Sequence, residues 1–156
     1  MAAIRELMAT DIVTARSDDM VSDLVLRMSR NGIGAVLVTA PDGKLEGVFT
    51  ERDLLDRVVA QSRDPRITPA QHVATPNPVV IELDWPIRKV LEVFRDRRFR
   101  HLPVVSQGKP VGILSTRDFL SALVEGFERY VDELKYKREL AEGIDPYDNI
   151  GGSYGR

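Results

Sequence analysis

The sequence predicts a mixed α/β (α+β) fold: two copies of one β-α-β-β-α unit, packed sheet to sheet with pseudo-two-fold symmetry, followed by a long C-terminal helix. Three observations predict it. The chain aligns with itself, each copy carries the same succession of hydrophobic periods, and a helical stripe runs on past the end of the second copy.

Sliding the chain by 66 residues places Asp11-Ile12-Val13-Thr14 over Asn77-Pro78-Val79-Val80. The same shift places Val21, Leu24, Val25 and Met28 over Ile87, Val90, Leu91 and Phe94. The offset falls to 65 after the Pro41-Asp42-Gly43 turn, which is one residue longer than its counterpart at Gln107-Gly108. A turn absorbs such a change at least cost.

Each copy opens on a strand at Ile12-Val13 or Val79-Val80. Val21, Leu24, Val25 and Met28 then repeat at i, i+3, i+4, i+7, the stripe of an amphipathic helix, and Gly32 stands where a helix commonly stops. Ala35-Val36-Leu37-Val38 and Leu45 to Phe49 are short apolar runs about a Pro-Asp-Gly turn and predict a hairpin, repeated by Leu102 to Val105 and Val111 to Leu114. Thr50 and Ser115 are capping residues that open the last helix of each copy. A three-stranded sheet with two helices leaves one face bare, so the two copies are expected to cover each other.

The expected division is a first repeat over 1–66, a second over 67–125, a helical extension over 126–142 and a flexible tail over 143–156. The polar stretch 62–69, with two prolines, reads as the linker. In the extension Phe119, Leu123, Phe127, Tyr130 and Leu134 recur at helical spacing, a stripe longer than one small body should bury, which predicts a homodimer. The glycine-rich tail with Tyr147 and Tyr154 shows no period.

Composition narrows the function. With 43% hydrophobic and 29% charged residues the chain reads as a soluble globular protein, and its net charge of -2 argues against nucleic acid as a partner. The run Arg95, Arg97, Arg98, Arg100 is concentrated, but a solvated helix face explains it. No apolar run suits a membrane span or a secretory signal, and the lack of cysteine fits a reducing compartment, so a cytoplasmic location is expected. Two histidines, His72 and His101, supply neither a metal cluster nor a Ser-His-Asp arrangement. The expectation is therefore a protein with no catalytic residues, no metal and no catalytic cofactor.

The fragments Gly47-Val48-Phe49-Thr50-Glu51-Arg52-Asp53 and Gly112-Ile113-Leu114-Ser115-Thr116-Arg117-Asp118 occupy corresponding places in the two copies. Hydroxyl and acid three residues apart at a helix start are what plain capping produces. The same groups can also serve a ligand, because an ionised carboxylate accepts hydrogen bonds and helix-start amides attract anions. Together with Asn77-Pro78-Val79-Val80-Ile81 and Arg100-His101-Leu102-Pro103-Val104-Val105, the fragments resemble the CBS (cystathionine β-synthase type) domain signature, and the resemblance covers about residues 4 to 125.

The resemblance implies a Bateman module, a regulatory pair that binds AMP, ADP, ATP or S-adenosylmethionine in clefts shared by both copies. It implies that Asp118 holds the ribose, with Ser115 and Arg117 beside ribose and phosphate and with the adenine against Ile12, Val13 and Ala35. Arg100 and His101 would add charge there. The mirror site would use Thr50, Arg52 and Asp53, with adenine against Pro78, Val79 and Leu102. Gly34 and Ala35 stand where Arg100 and His101 align, so the Asp53 site is expected to be poorer in positive charge and the weaker of the two. The implied action is on a separate regulated partner, the alternative being a ligand-free dimerisation or interaction module.

Overall fold

A computed structural model describes residues 4–96 and 99–142. The chain divides into two compact units, one up to Phe119 and one from Leu120 onward.

In the first unit a short helix α1 (Ile4–Leu7) precedes β1 (Thr14–Arg16), α2 (Val21–Asn31), β2 (Ala35–Thr39) and β3 (Leu45–Thr50). The helix α3 (Glu51–Asp53) follows and continues in π-type geometry over Leu54–Val59. After the linker come β4 (Thr75–Pro76), β5 (Ile81–Glu82), α4 (Ile87–Asp96), β6 (His101–Ser106), β7 (Lys109–Ser115) and α5 (Thr116–Ala141). Helix α2 ends at Gly32 in the left-handed region, φ 61°, with its N–H bonded back to Met28 and Ser29. The strands β1 and β5 each begin two residues later than the apolar entries suggest. Ile12, Val13, Pro78 and Val79 are irregular backbone instead. Asn77 at φ 44° and the missing N–H of Pro78 explain the delay in the second copy.

The first sheet has the order β1-β2-β3-β4 and the second β5-β6-β7. In each, the first strand runs parallel to the second and the hairpin is antiparallel, with register Val36↔Phe49 in one and Leu102↔Leu114 in the other. Alternation divides the β2 side chains. Val36 and Val38 join Val21, Leu24, Met28 and Phe49 under α2, whereas Ala35 and Leu37 turn the other way with Val48. That second group packs against Ile113 of β7 and forms the contact between the sheets. The hairpin tips also meet, Leu45 N–H donating to the Gly108 carbonyl at 3.0 Å. A third core holds Ile81, Val90, Leu102, Val104, Leu114 and Phe119, with the Phe94 and Phe119 rings 5.2 Å apart. Trp85 packs at its edge with the Lys89 ammonium over its ring.

Each sheet also borrows an edge from the segment preceding the other repeat. Thr75 and Pro76 pair with Val48 and Gly47 of β3, while Ala9 bridges Ile113 of β7. This exchange accounts for the glycine of each signature. A Cβ at Gly47 would lie 3.1 Å from the Thr75 carbonyl oxygen, and one at Gly112 would lie 2.9 Å from that of Ala9.

The linker has a structural part as well. Met20 makes no side-chain cap on α2, and the orphan N–H groups of Val21 and Ser22 donate instead to the carbonyls of Thr68 and Pro65. Ala70 N–H in turn donates to the Asp19 carbonyl at 2.8 Å.

The second unit begins inside α5, which is continuous through the boundary expected at 125/126. Phe119 is buried in the core of the first unit and so drops out of the exposed stripe, whereas Leu123, Phe127, Tyr130 and Leu134 are exposed. No described helix is long and apolar enough to cross a membrane. The tail over 143–156, with Tyr147 and Tyr154, and the arginines Arg97 and Arg98 lie outside the described residues.

Candidate functional site

Two clefts open where the repeats meet within the first unit. The larger, about 540 Å³, is lined by Ile12, Val13 and Ala35 on one side and by Arg100, His101, Ser115, Arg117 and Asp118 on the other. The structure thus brings together every residue expected at the Asp118 site. The smaller, about 320 Å³, is lined by Thr50, Arg52, Asp53, Pro78, Val79 and Leu102, all the residues expected at the mirror site, and again by His101.

The walls follow from local geometry. Irregular backbone at Ile12-Val13 and Pro78-Val79 leaves apolar side chains beside the clefts instead of inside a sheet. Ser115 and Thr50 end β7 and β3 at the points where α5 and α3 start. Thr116 N–H donates to the Arg100 carbonyl at 2.9 Å, and its hydroxyl donates to the Phe99 carbonyl at 2.6 Å. These bonds fix the backbone that carries Arg100. In the other copy Glu51 N–H donates to the Gly34 carbonyl at 3.1 Å, the same bond without a side chain to position.

The two carboxylates differ. Asp118 is exposed: its Oδ2 accepts from the Ser115 hydroxyl at 2.6 Å, and its N–H donates to Ser115 Oγ at 3.0 Å. Capping and an outward-facing acceptor therefore coexist. Asp53 is buried, 7% exposed. Its Oδ2 accepts from Thr50 N–H at 2.9 Å and from the Thr50 hydroxyl at 2.8 Å, completing a capping box. Its Oδ1 takes the Thr75 hydroxyl at 3.4 Å and faces Arg57 Nε at 3.4 Å.

Positive charge is distributed otherwise than the sequence alignment suggests. Arg57, overlooked there, gives the smaller cleft a second guanidinium beside Arg52. Its spacing of four from Asp53 on one helix was the available signal. Both of these arginines are engaged: Arg57 with Asp53 and the carbonyls of Val73 and Ala74, Arg52 with Asp56 at 3.4 Å. Arg100 and Arg117 are exposed and make no ion pair with a described carboxylate. The contrast lies in commitment of the charges and not in their number.

His101 borders both clefts. Its Cε1 would be 3.3 Å from a Cβ at Gly34, so the glycine leaves room for the ring. Burial pulls the imidazole below its ordinary pKa; Glu51 opposes this, Arg100 adds to it, and Asp118 opposes it. The sequence also missed Asp11 and Thr116 at the larger cleft and Thr75 and Phe99 at the smaller. Among the described residues no group of three or more acidic, His or Cys side chains is placed to hold a metal.

Known proteins resemble this chain in sequence and fold. A CBS-domain protein of Agrobacterium tumefaciens is 31% identical, with TM-score 0.68 over 78% of this chain and 98% of that one. A CBS domain protein of Pyrobaculum aerophilum, solved in complex with AMP, is 30% identical, with TM-score 0.68 over 75% of this chain and 89% of that one. A CBS domain-containing protein of Arabidopsis thaliana is 28% identical over 142 residues, 91% of this chain, which spans only 26% of that larger protein. The family model for the CBS domain matches twice, over residues 4–60 and 70–125. The chain belongs to the CBS-domain family and carries a tandem pair.

Proposed function

We propose that this chain is a regulatory, non-catalytic module that binds an adenosine-containing nucleotide in the Ser115–Asp118 cleft and signals its presence to a separate protein. One observation carries the reading: an exposed carboxylate, Asp118, stands with Arg100 and Arg117, which make no ion pair with a described carboxylate, across from the apolar Ile12, Val13 and Ala35. Diol acceptor, phosphate donors and a flat apolar wall are the groups a nucleotide needs. The AMP held by the Pyrobaculum relative supports the choice of ligand class, with ADP, ATP and S-adenosylmethionine as the other members to be tried.

Thermal melting with each of the four ligands tests it. A ligand at a hundred times its Kd that binds only the folded state adds about 2.7 kcal/mol, enough to raise the melting temperature by several degrees. A flat response to all four would overturn the reading in favour of a ligand-free interaction module. The proposal includes a homodimer, supported by Leu55 and Val59 at 61% and 62% exposure on the first repeat, and a cytoplasmic site of action, supported by the absence of cysteine.

A further inference from the structure

Beyond Phe119, α5 continues for about six more turns with large apolar side chains in water. Leu120, Val124, Phe127, Val131 and Leu134 alternate at spacings of four and three, the seam of a two-stranded coiled coil, and Phe127 is 66% exposed. Leu123 and Tyr130 widen the stripe on one side. At about 100° per residue, Glu128 and Lys135 both fall on the opposite edge of that stripe, one heptad apart. Glu128 makes no ion pair with a described residue, and Lys135 reaches Glu139 only at 3.9 Å.

We infer that α5 pairs with α5 of a second copy in antiparallel orientation, Glu128 of each facing Lys135 of the other. The inference rests on the homodimeric reading and adds to it, besides Leu55 and Val59, a second surface on α5 and its orientation. In an antiparallel pair like edges meet, so a two-fold axis near Val131 and Asp132 brings Glu128 to Lys135 twice and packs Val131 against Leu134 on either side of the axis. A parallel pair would instead place Glu128 against the apolar edge at Leu123. It would also stack Glu125, Glu128, Asp132 and Glu133 of one helix at the level of the same four in the other. Antiparallel packing sets that acidic half against Lys135, Lys137 and Arg138 and opposes the two helix dipoles.

The test is a charge swap on the full chain, read by light scattering and sedimentation against concentration. Glu128→Lys and Lys135→Glu should each weaken the dimer, and the double variant should restore it, because only an antiparallel self-pair regains both contacts. Phe127→Glu with Leu134→Glu should raise the dimer dissociation constant about thirtyfold or more, the scale of a lost hot spot. Because the chain has no cysteine, orientation can be read directly. Glu128→Cys mixed with Lys135→Cys should give a disulfide-linked dimer under mild oxidation, and neither variant alone should. A monomeric parent chain overturns both the dimer and this surface. A dimer that is indifferent to Phe127→Glu with Leu134→Glu leaves the dimer standing and overturns the α5 pairing, as does failure of the double charge swap to restore association.

Discussion

Replacing Asp118 and Asp53 separately by alanine tests whether the first carboxylate serves a ligand and the second the fold, although the two residues occupy the same place in aligned repeats. Asp118 gives one oxygen to the Ser115 hydroxyl and exposes the rest of its carboxylate, so Asp118→Ala should leave the fold nearly intact. If the carboxylate receives the ribose hydroxyls, its loss removes hydrogen bonds to a charged group, about 1.5 to 3 kcal/mol, or about one to two decades of affinity. Asp53 accepts from Thr50 N–H, the Thr50 hydroxyl and the Thr75 hydroxyl, and Arg57 stands beside it. Asp53→Ala strips a capping box, about 0.5 to 2 kcal/mol, and leaves a half-engaged guanidinium behind. Its principal effect should be a melting temperature lower by several degrees, with only a minor loss of nucleotide affinity. Calorimetric titration with AMP and thermal melting of both variants provide the two readouts. A larger affinity loss in Asp53→Ala than in Asp118→Ala would refute the ranking of the clefts, and unchanged binding in both would refute the assignment of either carboxylate to the ribose.

Three further outcomes follow from the same structure. Gly112→Ala and Gly47→Ala should each destabilise the first unit by about 1 to 3 kcal/mol, measured by denaturant melts, since the added methyl meets the Ala9 or the Thr75 carbonyl of the exchanged edge. Burial depresses the His101 pKa, so the unfolded chain binds the proton more readily; the contribution is present above about pH 6.5 and lost as pH falls toward the folded value, which His101→Gln should abolish in a pH series of melts. A phosphate placed beside His101 favours the imidazolium, so nucleotide binding should take up a proton in that pH range, seen as a binding enthalpy that varies with the ionisation enthalpy of the buffer.

The strands, hairpins and helix starts were legible because their signals are local: a period of two, a turn at Pro41-Asp42-Gly43, a hydroxyl at Thr50 or Ser115. The two-copy arrangement was legible because one sheet face had to be covered, and Ala35, Leu37 and Val48 against Ile113 are that cover. The exchanged edges were not. Ala9 and Thr75-Pro76 have no periodic neighbours, and only a tertiary pairing makes them strand-like. The site residues were gathered by the alignment of the repeats, but their electrostatic condition was invisible there, because a sequence shows Arg57 and Asp53 without showing that each consumes the other.

That last point bears on what two clefts in one module are for. An internal repeat starts with two equivalent sites, and equivalence is kept only while both keep their polar groups free for a ligand. Here the first copy has turned its carboxylate inward, tied through Thr75 and Arg57 to the segment that enters the second repeat. A carboxylate used in that way stabilises the joint between repeats. The second copy retains an outward carboxylate, and at the larger cleft two arginines that make no ion pair with a described carboxylate. His101 stands between, bordering both, so a change of charge or position at one cleft reaches the other through a single side chain. A ligand taken up at the Asp118 side is therefore placed to act on the joint that Asp53 secures, and changed hydrogen exchange at Thr50, Asp53 and Thr75 on nucleotide addition is the expected sign of it. Protection unchanged at those amides while AMP binds would confine the response to the larger cleft and deny the joint any part in it.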